Sequence, residues 1–201
     1  MSDSYPVSER TRLRRRPQRG AYDRASVHAI LDEGFVCHLG FVDEGHVYVV
    51  QTGYVRIDDY VYVHAASGGR IARTLSTGPD VCLTVTLIDG LVLARSAFHH
   101  SMNYRSVIAF GQARVVDDSA EKLAALRQFT NHISPGRWDD VRQPTELELK
   151  ATTVIALRLE NVSAKIRSGP PIDDDGDLAL PVWAGVVPLS LTRGERIADE
   201  R

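Results

Sequence analysis

The sequence predicts a mainly β domain with peripheral helices, in which six or so antiparallel strands close into a barrel. β-Branched and aromatic residues concentrate in segments such as VCLTVTLI at 81–88, a composition typical of strands. Short turns such as Asp43-Glu44-Gly45 separate neighbouring segments, and turns of this length join antiparallel strands. Closure into a barrel would remove the exposed edges of such a sheet.

Helices and strands are predicted in blocks along the chain. Asp23 has the chemistry of an N-cap for a first helix, which Gly34 can end. A short helix is expected at 67–77, a longer one capped by Asp117, Asp118 or Ser119 and running through Ile133, and another after Thr145. Asp89-Gly90 predicts a hairpin turn. The strand segments are 35–42, 46–57, 60–66, 81–88, 91–97, 104–116 and 154–167.

Length and composition favour one domain with two polar ends. The chain has 201 residues, of which 43% are hydrophobic, enough for a packed core and too many for a disordered protein. Arginines crowd residues 1–20, which are predicted to form a flexible arm, either solvated or in contact with a phosphate or a partner. Residues 21–190 should form the domain with its proline-rich C-terminal segment, and residues 191–201 a polar tail.

Charge and hydropathy exclude several classes of protein. The formal net charge is −2, so we expect no nucleic-acid partner. No apolar run approaches the ~20 residues that span a bilayer, and the polar N-terminus has no secretory signal. We therefore expect a cytoplasmic protein without a membrane partner. Cys37 and Cys82 lie in separate strand segments and predict neither a disulfide framework nor a metal site.

The stretch Ser67-Gly68-Gly69-Arg70 stands where a strand becomes a helix. The first N–H groups of a helix lack partners and attract anions. Glycine allows a close approach of the backbone, and an arginine fork matches phosphate oxygens. The stretch therefore predicts a phosphate site, and ordinary helix capping with a surface arginine is the alternative. Neither the P-loop nor the Rossmann glycine spacing is present.

This order of strands, the SGGR helix start and the segments LVLARSAFHHSMNYRSVIAFGQA and LPVWAGVVPL resemble one family. The family that they resemble is that of the pyridoxamine 5′-phosphate oxidase-like flavin-binding split barrels, in particular the branch of the nitroimidazole-resistance (Nim) proteins. The resemblance covers roughly residues 20–190. It implies a six-stranded antiparallel split barrel of the FMN-binding type. It also implies a homodimer, with FMN in a groove between the two subunits.

The resemblance also implies which residues contact FMN. Residues 67–70 would bind its phosphate, and the backbone of residues 50–52 would follow the isoalloxazine edge. His64 would hydrogen-bond the flavin, donate a proton or ligate iron. The partner subunit would contribute the strand that begins at residue 104, and Trp183 would form a wall of the pocket. The implied cofactor-binding residues are Val50, Gln51, Thr52, His64, Ser67, Gly69, Arg70, Tyr104, Ser106 and Trp183.

The function implied by the resemblance is that of an FMN-dependent oxidoreductase acting on a small aromatic, nitro- or quinone-like substrate. Flavin supplies the redox chemistry, so no catalytic side chain is assigned. No lysine near Thr52 and Gly53 offers a second phosphate contact, so oxidation of pyridoxamine phosphate is not expected. A flavin carrier or sensor and a haem-binding split barrel are the alternatives. Deazaflavin is an alternative cofactor to FMN, and the choice between FMN and FAD stays open.

Overall fold

A computed structural model of the protein describes residues 3–200, which contain ten strands and five α-helices. Residues 1, 2 and 201, which belong to the predicted arm and tail, lie outside this part of the chain. The strands are β1 (Gly20–Ala21), β2 (Val36–Asp43), β3 (His46–Ile57), β4 (Tyr60–Ala66), β5 (Asp80–Leu93), β6 (Ser101–Gln112), β7 (Arg114–Val115), β8 (Thr152–Arg158), β9 (Asn161–Arg167) and β10 (Gly185–Pro188). The helices are α1 (Arg24–Glu33), α2 (Arg70–Leu75), α3 (Ser119–Ile133), α4 (Arg137–Asp140) and α5 (Glu146–Ala151).

The prediction of a mainly β, antiparallel fold is confirmed, although the sheet has more strands than the six expected. Its strands follow the order β1-β9-β6-β5-β2-β3-β4-β8-β7, and β10 pairs with β5. Strands β2 and β3, β3 and β4, and β4 and β8 all pair antiparallel. Part of the excess comes from β1 and β7, which have two residues each and are too short to show a hydrophobic pattern in the sequence.

The hairpin predicted at Asp89-Gly90 was wrong, because both residues lie inside the continuous strand β5. Gly90 is paired with Pro188 of β10. A Cβ atom at Gly90 would come within 3.0 Å of the Val187 carbonyl oxygen. The glycine therefore permits a close approach of another strand instead of forming a turn. Arg105 holds the neighbouring Asp89 carboxylate at 2.7 Å.

The single last strand predicted at 154–167 is divided into β8 and β9. Strand β8 pairs with β4 and β7, whereas β9 pairs with β1. Between them, the Leu159 N–H donates to the carbonyl oxygen of Asp59 at 2.8 Å. The chain thus changes its partner strands here, and a hydrophobic pattern alone does not reveal such a change.

Three predicted helix starts are confirmed by their caps. The Asp23 side chain accepts from the Ser26 N–H, and the Asp118 side chain accepts from the Glu121 N–H. Thr145 forms a capping box at the start of α5, in which side chain and backbone satisfy each other. Helix α2 begins three residues later than predicted, after Gly69, and α4 was not predicted at all.

The chain divides into two compact units. The first comprises Met1–Leu87 and Ser106–Lys165, and the second comprises Ile88–Arg105 and Ile166–Arg201. In the second unit, Arg95 pairs with the Asp173 carboxylate at 2.9 Å. None of the helices in residues 3–200 has the length and hydropathy that crossing a bilayer requires. A core cluster of the first unit consists of Val55, Tyr62, Val116, Ala125, Val154 and Ala156.

The arginine-rich arm makes specific contacts where we expected a flexible segment. Tyr5 is only 3% exposed and Thr11 only 2%. The Tyr5 hydroxyl lies 2.8 Å from His28 Nε2, and the Arg24 guanidinium lies over the Tyr5 ring while pairing with Asp59. The side chain of Tyr5, near the start of the chain, therefore packs against α1. Residues 191–200, by contrast, are all exposed.

The contact between the arm and α1 should make stability depend on pH. Burial, followed by the charge of Arg56, holds the pKa of His28 below its ordinary value of 6.5. The unfolded chain then binds a proton at a pH where the folded chain does not, so the free energy of unfolding falls as pH drops through 6.5. We expect urea unfolding to show this loss between about pH 7.5 and about pH 5.5, and a smaller loss in His28→Gln. Equal losses in the two proteins would contradict the assignment to His28.

Gly34, which ends α1, is predicted to tolerate no side chain. A Cβ atom there would lie 2.5 Å from the Tyr54 hydroxyl and 2.9 Å from Val85 Cγ1. The Tyr54 hydroxyl donates to the Leu31 carbonyl oxygen at 2.7 Å, so it is not free to move. We expect Gly34→Ala to lower the free energy of unfolding by roughly 1–3 kcal/mol. Gly176→Ala, where a Cβ meets open space, is the matched control and should change the urea midpoint little.

Candidate functional site

Strands β3 and β4 separate at the residues that the sequence predicted to contact a cofactor. Their register pairs Tyr54 with Val63, and the pairing covers only the four residues from Tyr54 to Ile57 on β3. If this antiparallel register continued for four more residues toward the start of β3, Val50 would lie opposite Ser67. Within residues 3–200 no such pairs form, so residues 46–53 are paired with β2 alone. One edge of this segment therefore presents backbone N–H and C=O groups that lack a strand partner.

Phe129 of α3 lies at the point where the two strands separate. A Cβ atom at Gly53 would come within 2.8 Å of the Phe129 ring, so the ring occupies the space above this glycine. The same ring meets His64 edge to face, with the centroids 4.5 Å apart. In the continued register His64 is the residue opposite Gly53. One aromatic side chain thus packs against both strands where their pairing ends.

The turn before α2 is held firmly by its own backbone. The Ser67 N–H donates to the Ala151 carbonyl oxygen at 2.9 Å, and the Gly69 N–H donates to the Ala66 carbonyl oxygen at 2.8 Å. Gly69 is the N-cap of α2, and Gly68 is exposed with open space where a Cβ would lie. The N–H groups of Ser67 and Gly69 are therefore already used, and an anion here would meet those of the first helical turn.

Arg70 has partners within the chain. Its guanidinium lies 4.3 Å from the centroid of the Tyr48 ring, and its Nε lies 3.6 Å from Asp43 Oδ2. The Asp43 carboxylate also meets Arg73 at 3.5 Å and accepts a hydrogen bond from Thr74 Oγ1 at 2.8 Å. Half of the Arg70 side chain is exposed. An anion at the turn would therefore compete with Asp43 for the Arg70 guanidinium. The sequence alone did not reveal this ion pair within the chain.

His64 is half-buried on β4 and faces a cavity of about 340 Å³. Burial lowers the pKa of His64 below its ordinary value, so the neutral imidazole is favoured near neutral pH. Within residues 3–200, neither ring nitrogen has a hydrogen-bond partner. The buried Trp138 of the unpredicted helix α4 lines the same cavity. In the sequence, Trp138 is a tryptophan in a polar stretch, and that pattern alone does not predict a buried side chain.

A second cavity of about 490 Å³ includes Ser67 in its lining. Leu149 at the end of α5 and Thr152 at the start of β8 line both cavities, so the two cavities lie next to each other. Lys122 and Lys150 also line the second cavity. Neither lysine was predicted, because they come from helices distant in sequence from the SGGR turn.

The remaining predicted residues, Tyr104, Ser106 and Trp183, lie on other parts of the chain. Ser106 lies on β6, and β5 and β2 stand between β6 and β3 in the sheet. Its hydroxyl donates to the Lys165 carbonyl oxygen at 3.3 Å. Tyr104, half-exposed, and Trp183, 63% exposed, belong to the second unit. The predicted residues that lie on β3, on β4 and at the start of α2, all within the first unit, are Val50, Gln51, Thr52, His64, Ser67, Gly69 and Arg70.

The class defined by these features is an antiparallel β domain with an open strand edge beside a glycine-marked helix start. The family model described as pyridoxamine 5′-phosphate oxidase matches residues 23–166. The chain therefore belongs to the pyridoxamine 5′-phosphate oxidase-like family, as the sequence resemblance predicted. A comparison with curated proteins gave no significant match.

Solved structures support the same assignment. The flavocytochrome Anf3 from Azotobacter vinelandii is 40% identical, with a TM-score of 0.91 over 96% of this chain and 90% of that chain. An FAD- and haem-binding protein from Mycobacterium smegmatis is 33% identical, with a TM-score of 0.86 over 90% of this chain and 89% of that one. A protein from Bacteroides thetaiotaomicron assigned to 5-nitroimidazole resistance shares the fold, at 23% identity and a TM-score of 0.61 over 73% and 86%.

Proposed function

We propose that the protein binds a flavin nucleotide where β3 and β4 separate, and that it acts as an oxidoreductase. The observation that carries the proposal is the unpaired edge of residues 46–53 facing the turn at Ser67. Family membership and the similarity to a flavocytochrome and to an FAD- and haem-binding protein support it. When bound, a flavin supplies hydride and electron transfer, and the protein positions and tunes it.

The residues at this place suit the two ends of a flavin nucleotide. The backbone of Val50, Gln51 and Thr52 offers donors and acceptors in the alternation that the polar edge of an isoalloxazine ring requires. Arg70 and the first turn of α2 would neutralise the phosphate. Gly68, where a Cβ atom would meet open space, leaves room for phosphate oxygens to approach the backbone. His64 lies on the strand that leads to this turn.

We further propose a homodimer whose partner completes the site. Val47 and Val49, on the part of β3 that pairs with β2 alone, are 77% and 64% exposed. Exposed apolar side chains on an open strand edge are a hazard that proteins normally cover. A second copy would cover them and bring its own Tyr104 and Ser106 to the cofactor, while Trp183 would form a wall of the pocket.

Haem is a second candidate cofactor, favoured by the surroundings of His64. Neutral imidazole is the form that ligates iron, and burial favours this form at His64. The cavity in front of the ring is lined by Phe129, Trp138 and Pro144, an apolar wall that suits a porphyrin face. Two relatives above 30% identity are a flavocytochrome and an FAD- and haem-binding protein.

The absorbance spectrum of the purified protein tests both assignments. We expect flavin bands, together with a Soret band when haem is bound, and mass analysis of the released compounds should identify a flavin. Protein that is folded and dimeric but binds neither FMN nor FAD when they are added would overturn the flavin proposal.

Within this proposal, the substrate is a small aromatic, nitro- or quinone-like electron acceptor. This assignment depends on the resemblance to the Nim branch. Reduced protein should be reoxidised faster by such a compound than by solvent oxygen alone. Flavin that stays bound without turning over any acceptor would favour a carrier or sensor, and tight binding of deazaflavin over FMN and FAD would redirect the cofactor assignment.

A further inference from the structure

Residues 9–19 of the arginine-rich arm are not used by the proposed flavin site. This segment contains six arginines and one glutamate, although the formal net charge of the whole chain is −2. The rest of the chain therefore carries a net negative charge, and positive charge is concentrated in this segment. Its arginines, which we call the arginine patch, are Arg10, Arg12, Arg14, Arg15, Arg16 and Arg19.

The backbone of the arginine patch is fixed to the rest of the first unit. Thr11 is buried between the arginines. The Leu13 N–H donates to the Tyr22 hydroxyl at 3.0 Å, and this hydroxyl donates to the Thr11 carbonyl oxygen at 3.3 Å. Directly after the last of the six arginines, β1 pairs with β9. A partner that binds the patch would therefore not have to order this part of the chain, which lowers the cost of binding.

Only two carboxylates within residues 3–200 pair with the arginine patch. Glu9 lies 2.7 Å from Arg14 and 3.9 Å from Arg12. Asp80 lies 3.5 Å from Arg10. All three of these arginine side chains are at least half exposed, and exposed ion pairs are weak enough to be exchanged for a better partner. The arginines of the patch that pair with no carboxylate in this part of the chain are Arg15, Arg16 and Arg19.

The arginine patch lies close to the end of α2. The Arg10 guanidinium pairs with Asp80 and covers the Phe110 ring at 4.5 Å from its centroid. Only a short turn separates α2 from Asp80, the first residue of β5. A short helix and such a turn keep Asp80 within about 30 Å of the helix start that is proposed to bind the phosphate. A typical interface covers about 800 Å² on each partner, which is roughly 30 Å across, so a protein on the patch would extend toward the flavin.

The chemistry of the patch favours an acidic protein over a nucleic acid or a membrane. Arginine forks bind carboxylates in a defined geometry. The negative charge of the rest of the chain would repel a long nucleic acid. Residues 9–19 have no exposed large apolar side chain that could anchor them in a bilayer. Encounters between redox proteins use small interfaces with complementary charge, and the patch has the size and charge for one.

We infer that the arginine patch binds a small acidic one-electron carrier, an iron–sulfur or flavin protein, which reduces the bound flavin. The inference rests on the proposed function, because the flavin accepts the electrons. The sequence has no Rossmann glycine spacing that would indicate a nicotinamide dinucleotide as the donor. Two carrier molecules each lose one electron, and the flavin takes up both electrons together with two protons from solvent.

Binding of two acidic carriers, a plant-type [2Fe–2S] ferredoxin and a flavodoxin, tests the inference. Each carrier is labelled with a fluorophore, and the anisotropy is measured at about 25 mM and about 200 mM salt. At least one carrier should bind wild-type protein at the lower salt concentration and lose about tenfold in affinity at the higher one, because salt screens exposed charges. Cytochrome c, a basic carrier, should not bind.

Charge reversal identifies the surface that binds the carrier. Arg14→Glu combined with Arg15→Glu should weaken the binding at least about tenfold at low salt, because two attractions become repulsions. Arg127→Glu combined with Arg158→Glu is the matched control, since it reverses the same charge at exposed positions outside the arm, and should change the affinity by no more than about twofold. In stopped-flow measurements the reduced carrier should reduce the flavin of the arm variant more slowly, whereas dithionite should reduce both variants at the wild-type rate.

The outcomes separate this inference from the proposed function. Binding of neither carrier at low salt, or an equal loss in the two double variants, would overturn the inference and leave the flavin proposal standing. Tighter binding of wild-type protein to phosphatidylglycerol vesicles or to a duplex oligonucleotide than to either carrier would also overturn it. Wild-type protein that binds a carrier but no flavin would overturn the proposed function, and with it the electron transfer.

Discussion

Replacing His64 by alanine is expected to abolish haem binding while the protein keeps its flavin. The imidazole faces the cavity lined by Phe129 and Trp138 and has no hydrogen-bond partner within residues 3–200. Among residues 3–200, the lining of this cavity contains no second histidine, no cysteine and no methionine, so the loss of haem should be large. The measurement is the Soret absorbance per flavin after reconstitution with haem.

Two comparisons separate ligation from a structural role of His64. His46→Ala changes an exposed histidine on the neighbouring strand β3 and should leave the Soret band unaltered. Added imidazole should restore haem binding to His64→Ala, because it can enter the space left by the side chain. A Soret band of normal position and intensity in His64→Ala without imidazole would show that another group ligates the iron.

Replacing Arg70 by alanine is expected to weaken flavin binding by about 10- to 100-fold. A charge-assisted hydrogen bond contributes roughly 1.5–3 kcal/mol, and each ~1.4 kcal/mol is a factor of ten in affinity. Because Arg70 also interacts with Asp43 and Tyr48 in the chain, the effect should lie toward the lower end. The dissociation constants of FMN and FAD should rise by the same factor, since both carry the phosphate nearest the ring system.

Arg73→Ala is the matched control for Arg70. Arg73 lies on the same helix, meets the same Asp43 carboxylate at 3.5 Å and is more exposed. Its loss should change flavin affinity by no more than about twofold, the size expected of a surface ion pair. Flavin affinity that is unchanged in Arg70→Ala, or reduced equally in both variants, would argue against a phosphate at the start of α2.

Elements defined by local contacts were predicted from the sequence, whereas elements defined by distant contacts were not. In the first unit, the helix caps at Asp23 and Thr145 were predicted, and the cap of α3 at Asp118 was one of three adjacent candidates, because a cap depends on residues within one turn of each other. In the second unit, Asp89-Gly90 suggested a turn, but pairing with β10 made it the middle of a strand. Gly90 allows the close approach of β10, a strand almost a hundred residues later in the chain. Patterns of neighbouring residues cannot predict such a contact.

The candidate site shows the same limit. The SGGR turn was identifiable because its chemistry is contained in four consecutive residues. Its partners were not, since Tyr48 and Asp43 come from the preceding hairpin, and Lys122 and Lys150 from α3 and α5. The open edge at residues 46–53 is visible only when the pairing of β3 with both neighbours is known.

By itself the sequence determined the antiparallel β class, because hydrophobic alternation and turn chemistry are local, and the family, through its resemblance to known split barrels. It also predicts an anion-binding turn, because that chemistry is contained in contiguous residues. Only the tertiary structure decided where β3 and β4 separate, that Phe129 lies between His64 and Gly53, and that a cavity of about 490 Å³ adjoins Ser67. These features depend on side chains that meet across distant parts of the chain, and folding brings them together.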